Sequence, residues 1–253
     1  MTKAARSLPM KDIKILWALS AGRCAFPGCR IECIVQATDV DSHAVIGKIA
    51  HIYAHSDAGP RANSALDSKS RDSYPNWILL CANHHDVIDK QQDTYPAETL
   101  FSWKSEHEKW IREKLTEELP NIGFTELEMV TKAILSGSVA PTENLHLISP
   151  KEKIKKNSLS ANIEQLILMG MIKSKEVESF LKDVSKTIPD FPEQISNGFV
   201  TEYKRLREEG IAADALFEGM WVFSSGGSQD FLKRSAGLSV LVYLFQKCEV
   251  FEK

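Results

Sequence analysis

The sequence lacks any apolar run of the ~18–20 residues that a transmembrane helix requires. Its first residues carry positive charge, but Lys14 interrupts their apolar stretch and no small-residue cleavage site follows, so we expect no secretory signal. The sequence also shows no internal repeat. The lack of a transmembrane run and of a secretory signal predicts a cytoplasmic protein with no membrane partner.

An excess of basic charge is missing as well. Lys and Arg number 31 against 34 Asp and Glu, which gives a net charge of −3, and neither half of the chain is basic. Proteins that bind nucleic acid by themselves usually carry a basic excess, because neutralised phosphates supply most of the non-specific affinity. A polyanion would therefore have to be held by a local patch or by another subunit.

The size of the chain suits one large domain or two ordinary ones. It has 253 residues, of which 43% are hydrophobic and 26% are charged, close to globular averages. Pro120 and Gly123 mark a boundary, which predicts a first domain at 1–119 and a second at 120–253.

The second domain has helical patterning throughout its length. The predicted helices are 125–136, 158–171, 174–186, 192–209, 212–223 and 229–248. Composition makes 137–157 the least ordered stretch, and its Lys-rich run 151–156 is expected to be solvated.

Cysteine placement indicates a metal site. The cysteines are Cys24, Cys29, Cys33, Cys81 and Cys248. An odd number in a chain without a signal argues against a disulfide framework. Cys24 and Cys29 bracket a turn-forming Ala-Phe-Pro-Gly, and Cys81-Ala-Asn-His84 is a second close pair. Two close pairs far apart in sequence are typical of a structural tetrahedral zinc site, so we predict Zn²⁺ at Cys24, Cys29, Cys81 and His84.

The sequence alone leaves other roles open for these cysteines. Cys24 and Cys81 could instead be buried small hydrophobes, which would leave His84 without a role. Cys33 could replace Cys29, although the tight turn favours Cys29. Cys248 lies in an apolar segment and is expected to belong to the core.

A second pattern surrounds His51. Residues 47–54 are typical of a short apolar strand that carries this histidine, and 76–81 predict a second strand entered through Pro75. The next residues begin a helix, on which His85 and Asp89 are four apart and so share one face. The predicted fold class is α+β, with a ββα unit followed by a mostly helical domain.

Residues 16–107 resemble the HNH (ββα-metal) endonuclease family. The motifs that carry the resemblance are SAGRCAFPGC, GKIAHIYAHSDAGPR, NWILLCANHHDVID and YPAETLFSWKSEHE, in that order. The last of them predicts an amphipathic helix over about 96–117. The resemblance implies a metal-dependent hydrolase that cleaves phosphodiester bonds of double-stranded DNA.

The resemblance also implies roles for individual residues. His51 would be the general base for the attacking water, Asn76 would orient its imidazole, and His85 would bind a catalytic Mg²⁺ or Mn²⁺. The chemistry agrees, because an imidazole titrates near neutrality and a divalent ion neutralises charge on a scissile phosphate.

One position departs from the family pattern. Many HNH sites have an Asp or His metal ligand directly before the base, where this chain has Ala50. Asp89 is the preferred replacement ligand, and His55 is a weaker candidate. Alternatively, His51 could itself contact the metal, with the water acting through another group. Arg61 and Arg71 could brace phosphates of the nucleic acid, with a structural role in the loop as the alternative.

The C-terminal half supplies weaker signals. Its segments NSLSANIEQLILMGMI and AGLSVLVYLFQKCEVFEK are similar to the helical C-terminal region of subunits of ABC three-component defence systems. This similarity implies an anti-phage effector that a protein partner controls, such as an SMC- or ABC-type ATPase. The alternatives are an inactive HNH-fold scaffold or nucleic-acid-binding subunit, and a stand-alone restriction endonuclease.

Overall fold

The computed structural model describes residues 8–37, 39–135, 150–247 and 251. The chain divides into two compact units, Met1–Arg112 and Glu113–Lys253. The division falls before the boundary predicted after residue 119. The described residues form an α+β protein in which strands occur only in the N-terminal unit, and this confirms the predicted fold class at that level.

The N-terminal unit contains short strands and helices. The strands are β1 (Ile34–Val35), β2 (Ala44–Val45), β3 (Gly47–His51) and β4 (Trp77–Cys81). The helices are α1 (Met10–Leu19), α2 (Ser68–Arg71), α3 (Ala82–Lys90) and the long α4 (Ala97–Glu118), whose residues from Glu113 onward belong to the second unit, together with a 3-10 turn at Tyr74–Asn76.

Two antiparallel strands and a helix form the centre of this unit. β3 pairs with β4 so that His51 lies opposite Trp77 and Gly47 lies opposite Cys81, and α3 follows directly. The four apolar residues of β4 from Trp77 to Leu80 are all buried, because the strand is covered on both faces. The predicted strand–strand–helix order is therefore confirmed, and the ladder has one end at His51 and the other at Cys81.

The C-terminal unit is helical. Its elements are a 3-10 turn at Leu119–Asn121, α5 (Phe124–Leu135), α6 (Pro150–Lys156), α7 (Ala161–Met171), α8 (Ser174–Ser185), α9 (Phe191–Glu208), α10 (Ala213–Ser224) and α11 (Phe231–Gln246). The six predicted helices are confirmed, with bounds that differ by at most three residues. Every residue of α11 from Arg234 to Phe245 except Tyr243 is buried, and the helix packs against α5, α7, α8 and α10. Among the described residues, no helix combines the length and apolarity of a membrane span.

Helix α6 corrects one expectation. Its residues were expected to belong to a poorly ordered, solvated stretch, but they form a helix in which Lys153 is fully buried. The Lys153 ammonium donates to the carbonyl of Phe245 at 2.9 Å, so the hydrocarbon stem packs in the core while the charge is hydrogen-bonded. The rest of that stretch, 137–149, and Cys248 lie outside the described residues.

Candidate metal centres

The first centre brings together four potential metal donors. The Sγ atoms of Cys24, Cys29 and Cys81 and a ring nitrogen of His84 all lie within 4.8 Å of one another. Nδ1 of His84 is 3.6 Å from Sγ of Cys24 and 3.2 Å from Sγ of Cys81. Cys33 is buried nearby but belongs to no such group among the described residues. The four residues selected from the sequence could hold a metal ion.

The geometry of this group fits a tetrahedral ion. Bonds of about 2.3 Å to sulfur and about 2.05 Å to nitrogen would separate these ligands by about 3.5 Å. The two measured sulfur–nitrogen distances, 3.6 and 3.2 Å, are close to that value. Burial raises the pKa of the Cys24 thiol, and the nearby Cys81 and Cys29 sulfurs raise it further. A bound cation would instead lower the pKa of these thiols, because cysteine binds a metal ion as the thiolate.

Local structure fixes the positions of these donors. Cys24 and Cys29 flank a tight turn in which Gly28 has a φ of +76°, a conformation that favours glycine. The backbone N–H of Ala25 donates to the carbonyl of Leu79 at 2.9 Å, which ties this turn to β4. The ring of Phe26 stacks on the imidazole of His84 with centroids 3.8 Å apart, so the donor ring has a packed orientation.

The second centre lies at the other end of the β3–β4 ladder. His51, His55 and Asp72 each offer a donor atom, and these atoms lie within 4.8 Å of one another. Oδ1 of Asp72 is 3.0 Å from Nε2 of His51 and 3.3 Å from Nδ1 of His55. The indole N–H of Trp77 also points to Nε2 of His51, at 3.1 Å. The group is open to solvent on the side of His55, whose side chain is 44% exposed.

Asn76 positions this centre through the backbone. Its Oδ1 accepts from the N–H of Tyr53 at 2.9 Å, and its Nδ2 donates to the carbonyls of Tyr53 at 2.8 Å and Arg71 at 3.0 Å. The amide is 4% exposed and therefore holds the segment after β3 against the segment that leads to Asp72. The structure thus places Asn76 close to the site predicted for it, with its hydrogen bonds directed to main-chain groups.

The buried Arg71 completes this arrangement. Its guanidinium donates to the carbonyls of His55 and Asn63, each at 3.0 Å, and to Oδ1 of Asp57 at 2.5 Å. Arg71 precedes Asp72 in the chain, so one side chain fixes the backbone of both His55 and Asp72. We therefore assign Arg71 to the packing of the loop and not to phosphate binding.

Arg61 is also part of the framework. It donates to the carbonyls of Ile52 at 2.9 Å, Ile88 at 2.7 Å and His51 at 3.3 Å. Its Nη2 also pairs with Oδ1 of Asp89 at 2.7 Å, and the Arg61 side chain is only 5% exposed. A guanidinium that is buried among protein acceptors is not available to brace a phosphate, so its predicted nucleic-acid role is replaced by a structural one.

His85 and Asp89 lie together on α3 as predicted. Nδ1 of His85 is 3.8 Å from Oδ2 of Asp89, which is beyond hydrogen-bond distance. The same Nη2 of Arg61 contacts Asp89 and the carbonyl of His51, so this face of α3 lies beside the end of β3. Among the described residues, neither His85 nor Asp89 joins a group of three potential metal donors, and their predicted role as ligands stays a prediction.

Sequence reasoning missed Asp72 and Trp77. Asp72 follows α2, whose N-cap Asp67 accepts from the N–H of Ser70 at 2.7 Å. The Asp-x-x-Ser pattern signals a helical turn there, and a turn that ends shortly before Asn76 would have placed Asp72 near the predicted site. The sequence predicts only that Trp77 lies in a strand, and the strand register is needed to show that it faces His51.

No protein-family model matches the chain, and comparison with curated proteins likewise gives no match. The resemblance to HNH endonucleases therefore depends on the motifs of this sequence alone.

Proposed function

We propose that this chain is a metal-dependent endonuclease of the HNH type that hydrolyses phosphodiester bonds in DNA. The observation that carries the proposal is that one short antiparallel ladder holds a Cys/His metal-donor group at one end and His51 at the other. About 13 Å of strand separates the two ends. A structural ion at the first end would brace the strands that position the chemical groups at the second.

The second centre has the chemistry for hydrolysis of a phosphodiester. It combines imidazoles with the carboxylate of Asp72 in a partly exposed position. A carboxylate by itself would repel the phosphate, so substrate binding requires a cation between the two. A divalent ion supplies that positive charge and stabilises the leaving oxygen. In this proposal Zn²⁺ is the structural ion, and Mg²⁺ or Mn²⁺ supports cleavage.

We assign the chemistry to the N-terminal unit alone. Among the described residues of the C-terminal unit, no group of three potential metal donors occurs. Two apolar side chains, Leu168 on α7 and Ile172 directly after the end of α7, are 57% and 64% exposed. We propose that the helical unit docks a protein partner that restrains or recruits the nuclease in anti-phage defence. A neighbouring gene for an SMC- or ABC-type ATPase would support this part, and its absence would count against it.

Plasmid cleavage tests the central proposal. Purified full-length protein should nick or linearise supercoiled DNA with Mg²⁺ or Mn²⁺. His51→Ala should reduce the rate by about 10²-fold or more, the size expected when a group central to acid–base or metal chemistry is removed. His43→Ala is the matched control, because His43 is exposed and belongs to neither donor group among the described residues. Equal cleavage by wild type and His51→Ala would reject the proposal.

A second function is favoured by one observation. Ala50, where many HNH sites carry a metal ligand, is fully buried in the core. A module that had lost its chemistry would contain zinc and bind DNA without an added divalent ion, yet would cleave under none of Mg²⁺, Mn²⁺, Co²⁺ and Ni²⁺. That combination would identify the chain as a nucleic-acid-binding or scaffold subunit.

A further inference from the structure

Three side chains at the second centre have the spacing of ligands around one ion. Asp72 Oδ1 lies 3.0 Å from Nε2 of His51 and 3.3 Å from Nδ1 of His55. Metal bonds of about 2.1 Å separate neighbouring ligands by about 3.0 Å at 90° and about 3.4 Å at 109°. Both measured distances fall in this range, and all three donor atoms lie within 4.8 Å of one another, so the three side chains could hold one ion.

The surroundings hold these donors in place. Arg71 bonds the carbonyl of His55, and Asn76 bonds the carbonyl of Arg71, the residue before Asp72. The backbones that carry His55 and Asp72 are therefore linked through two buried side chains. Preorganised ligands favour metal binding, because less conformational entropy is lost when the ion arrives.

The electrostatics of the group also call for a positive charge. Nε2 of His51 has one lone pair, and the N–H of Trp77 is directed at it. In the tautomer that accepts this hydrogen bond, Nε2 has no proton to donate to Asp72, and two electron-rich atoms face each other at 3.0 Å. A cation in contact with both would turn this repulsion into attraction.

The strand geometry explains why Ala50 is no obstacle. Successive side chains of a strand point to opposite faces, so the residue before His51 faces away from it. Ala50 is fully buried, whereas His51 reaches the partly exposed site. A ligand at position 50 would thus be directed into the core, and the donors that accompany His51 come from the following loop and from the end of α2.

We propose that His51, His55 and Asp72 form a second metal site, which binds a transition-metal dication such as Mn²⁺ or Co²⁺ in preference to Mg²⁺. Two imidazoles with one carboxylate suit these ions, whereas Mg²⁺ prefers oxygen ligands. His51 then serves as a metal ligand and not as the general base. Metal binding stands on the geometry alone, and its part in cleavage rests on the proposed function.

Binding of Mn²⁺ without DNA tests this site. Full-length protein carrying one equivalent of zinc is titrated with Mn²⁺, and the free ion is measured by electron paramagnetic resonance. Wild type should bind one Mn²⁺, and Mg²⁺ in about tenfold excess should not displace it. His55→Ala and Asp72→Asn should each weaken binding at least about tenfold, because each removes a direct ligand. The exposed His43→Ala should bind like wild type.

Two outcomes overturn the metal site: wild type that binds no Mn²⁺ beyond its zinc, or His55→Ala that binds as tightly as wild type. The second outcome identifies His51 and Asp72 as an acid–base pair, because such a pair does not need His55. Far-UV circular dichroism and zinc content confirm that the variants are folded. If the variants lose Mn²⁺ binding and wild type does not cut the plasmid, the metal site is supported and the nuclease proposal is rejected. If wild type cuts the plasmid and His55→Ala binds Mn²⁺ as tightly as wild type, the nuclease proposal is supported and the metal site is rejected.

Discussion

The indole N–H of Trp77 points at Nε2 of His51, its partner across the β3–β4 ladder, at 3.1 Å. This bond occupies the lone pair that a metal ion would use, so Trp77 competes with the ion for His51. Trp77→Phe should therefore strengthen Mn²⁺ binding, by about fivefold if the hydrogen bond contributes about 1 kcal/mol. The affinity is measured by the same Mn²⁺ titration. Trp110→Phe, which leaves the Trp77 indole in place, should bind like wild type, and an unchanged affinity in Trp77→Phe would contradict the competition.

Removal of the ion from the first centre should expose thiols and destabilise the protein. With zinc bound, Cys24, Cys29 and Cys81 should resist a thiol reagent, and after chelation the partly exposed Cys29 and Cys81 should react. The fully buried Cys24 and Cys33 should stay unreactive while their surroundings remain folded, since burial raises the pKa of both thiols. The measurements are a thiol titration and a melting curve, each with and without chelator.

His84→Ala provides the matched genetic test of the same centre. It should lose the zinc equivalent and lower the melting temperature, because a structural zinc contributes folding free energy directly. His43→Ala should keep its zinc. Full zinc content in His84→Ala would show that this ring is not a ligand.

Asn76→Asp should destabilise the protein by about 1–3 kcal/mol or more. The substitution keeps the acceptor for the Tyr53 N–H but removes the N–H donor from the carbonyls of Tyr53 and Arg71. It also places a carboxylate oxygen against those carbonyls. Urea denaturation measures the change, and Asn83→Asp, at an exposed position of α3, should have a much smaller effect. Equal stability of the two variants would contradict the positioning role of Asn76.

Ala50→Asp introduces a residue type that many HNH endonucleases have at this position. It should not improve cleavage. Its carboxylate would be buried in the core without a partner, at a cost of about 3–5 kcal/mol. Lys48→Asp, on an exposed position of the same strand, should fold normally. An Ala50→Asp protein that is stable and cleaves faster would show that the side chain of residue 50 reaches the metal.

Acidification should destabilise the chain through His107. This ring is 1% exposed, and its pKa is lowered from 6.5 to about 4, first by burial and then by the positive charge of Arg30. The folded state therefore keeps His107 neutral between these two values while the unfolded chain binds a proton. The stability is complete above pH 6.5 and falls as the pH drops toward 4, by about 2 kcal/mol at pH 5.

The contribution of His107 is measured as a difference between proteins. His107→Gln should lose less stability than wild type between pH 7 and pH 5, in parallel urea titrations. The exposed His43→Gln should follow the wild-type curve. Identical pH dependence in wild type and His107→Gln would contradict the assignment.

The first centre was predictable because its information is local. Cys24 and Cys29 share one turn, and Cys81 and His84 share the junction of a strand and a helix, so spacing alone predicted two pairs of donors. The helices of the C-terminal unit were predictable for a related reason. Their apolar residues recur with the period of a helix, which is also a short-range property.

The second centre was only partly predictable, because it depends on contacts between distant segments. His51 and Asn76 stand in recognisable motifs, whereas Asp72 follows a four-residue helix inside a charged stretch that has no periodicity. The roles of Arg61 and Arg71 could not be predicted for the same reason, because they depend on contacts with distant segments. A loop arginine that binds phosphate and one that binds backbone carbonyls have the same local sequence, and only burial separates them.

The length of β4 restricts how the chain can change. Trp77 and Cys81 are four positions apart, so their side chains point to the same side of a strand that is paired along its whole length. Insertion or deletion of a single residue between them would move one of the two side chains to the opposite face of the strand. Either Trp77 would then lose its contact with His51, or Cys81 would leave the metal-donor group of the first centre. Variation between these two positions is therefore restricted to substitutions, or to changes of two residues at a time.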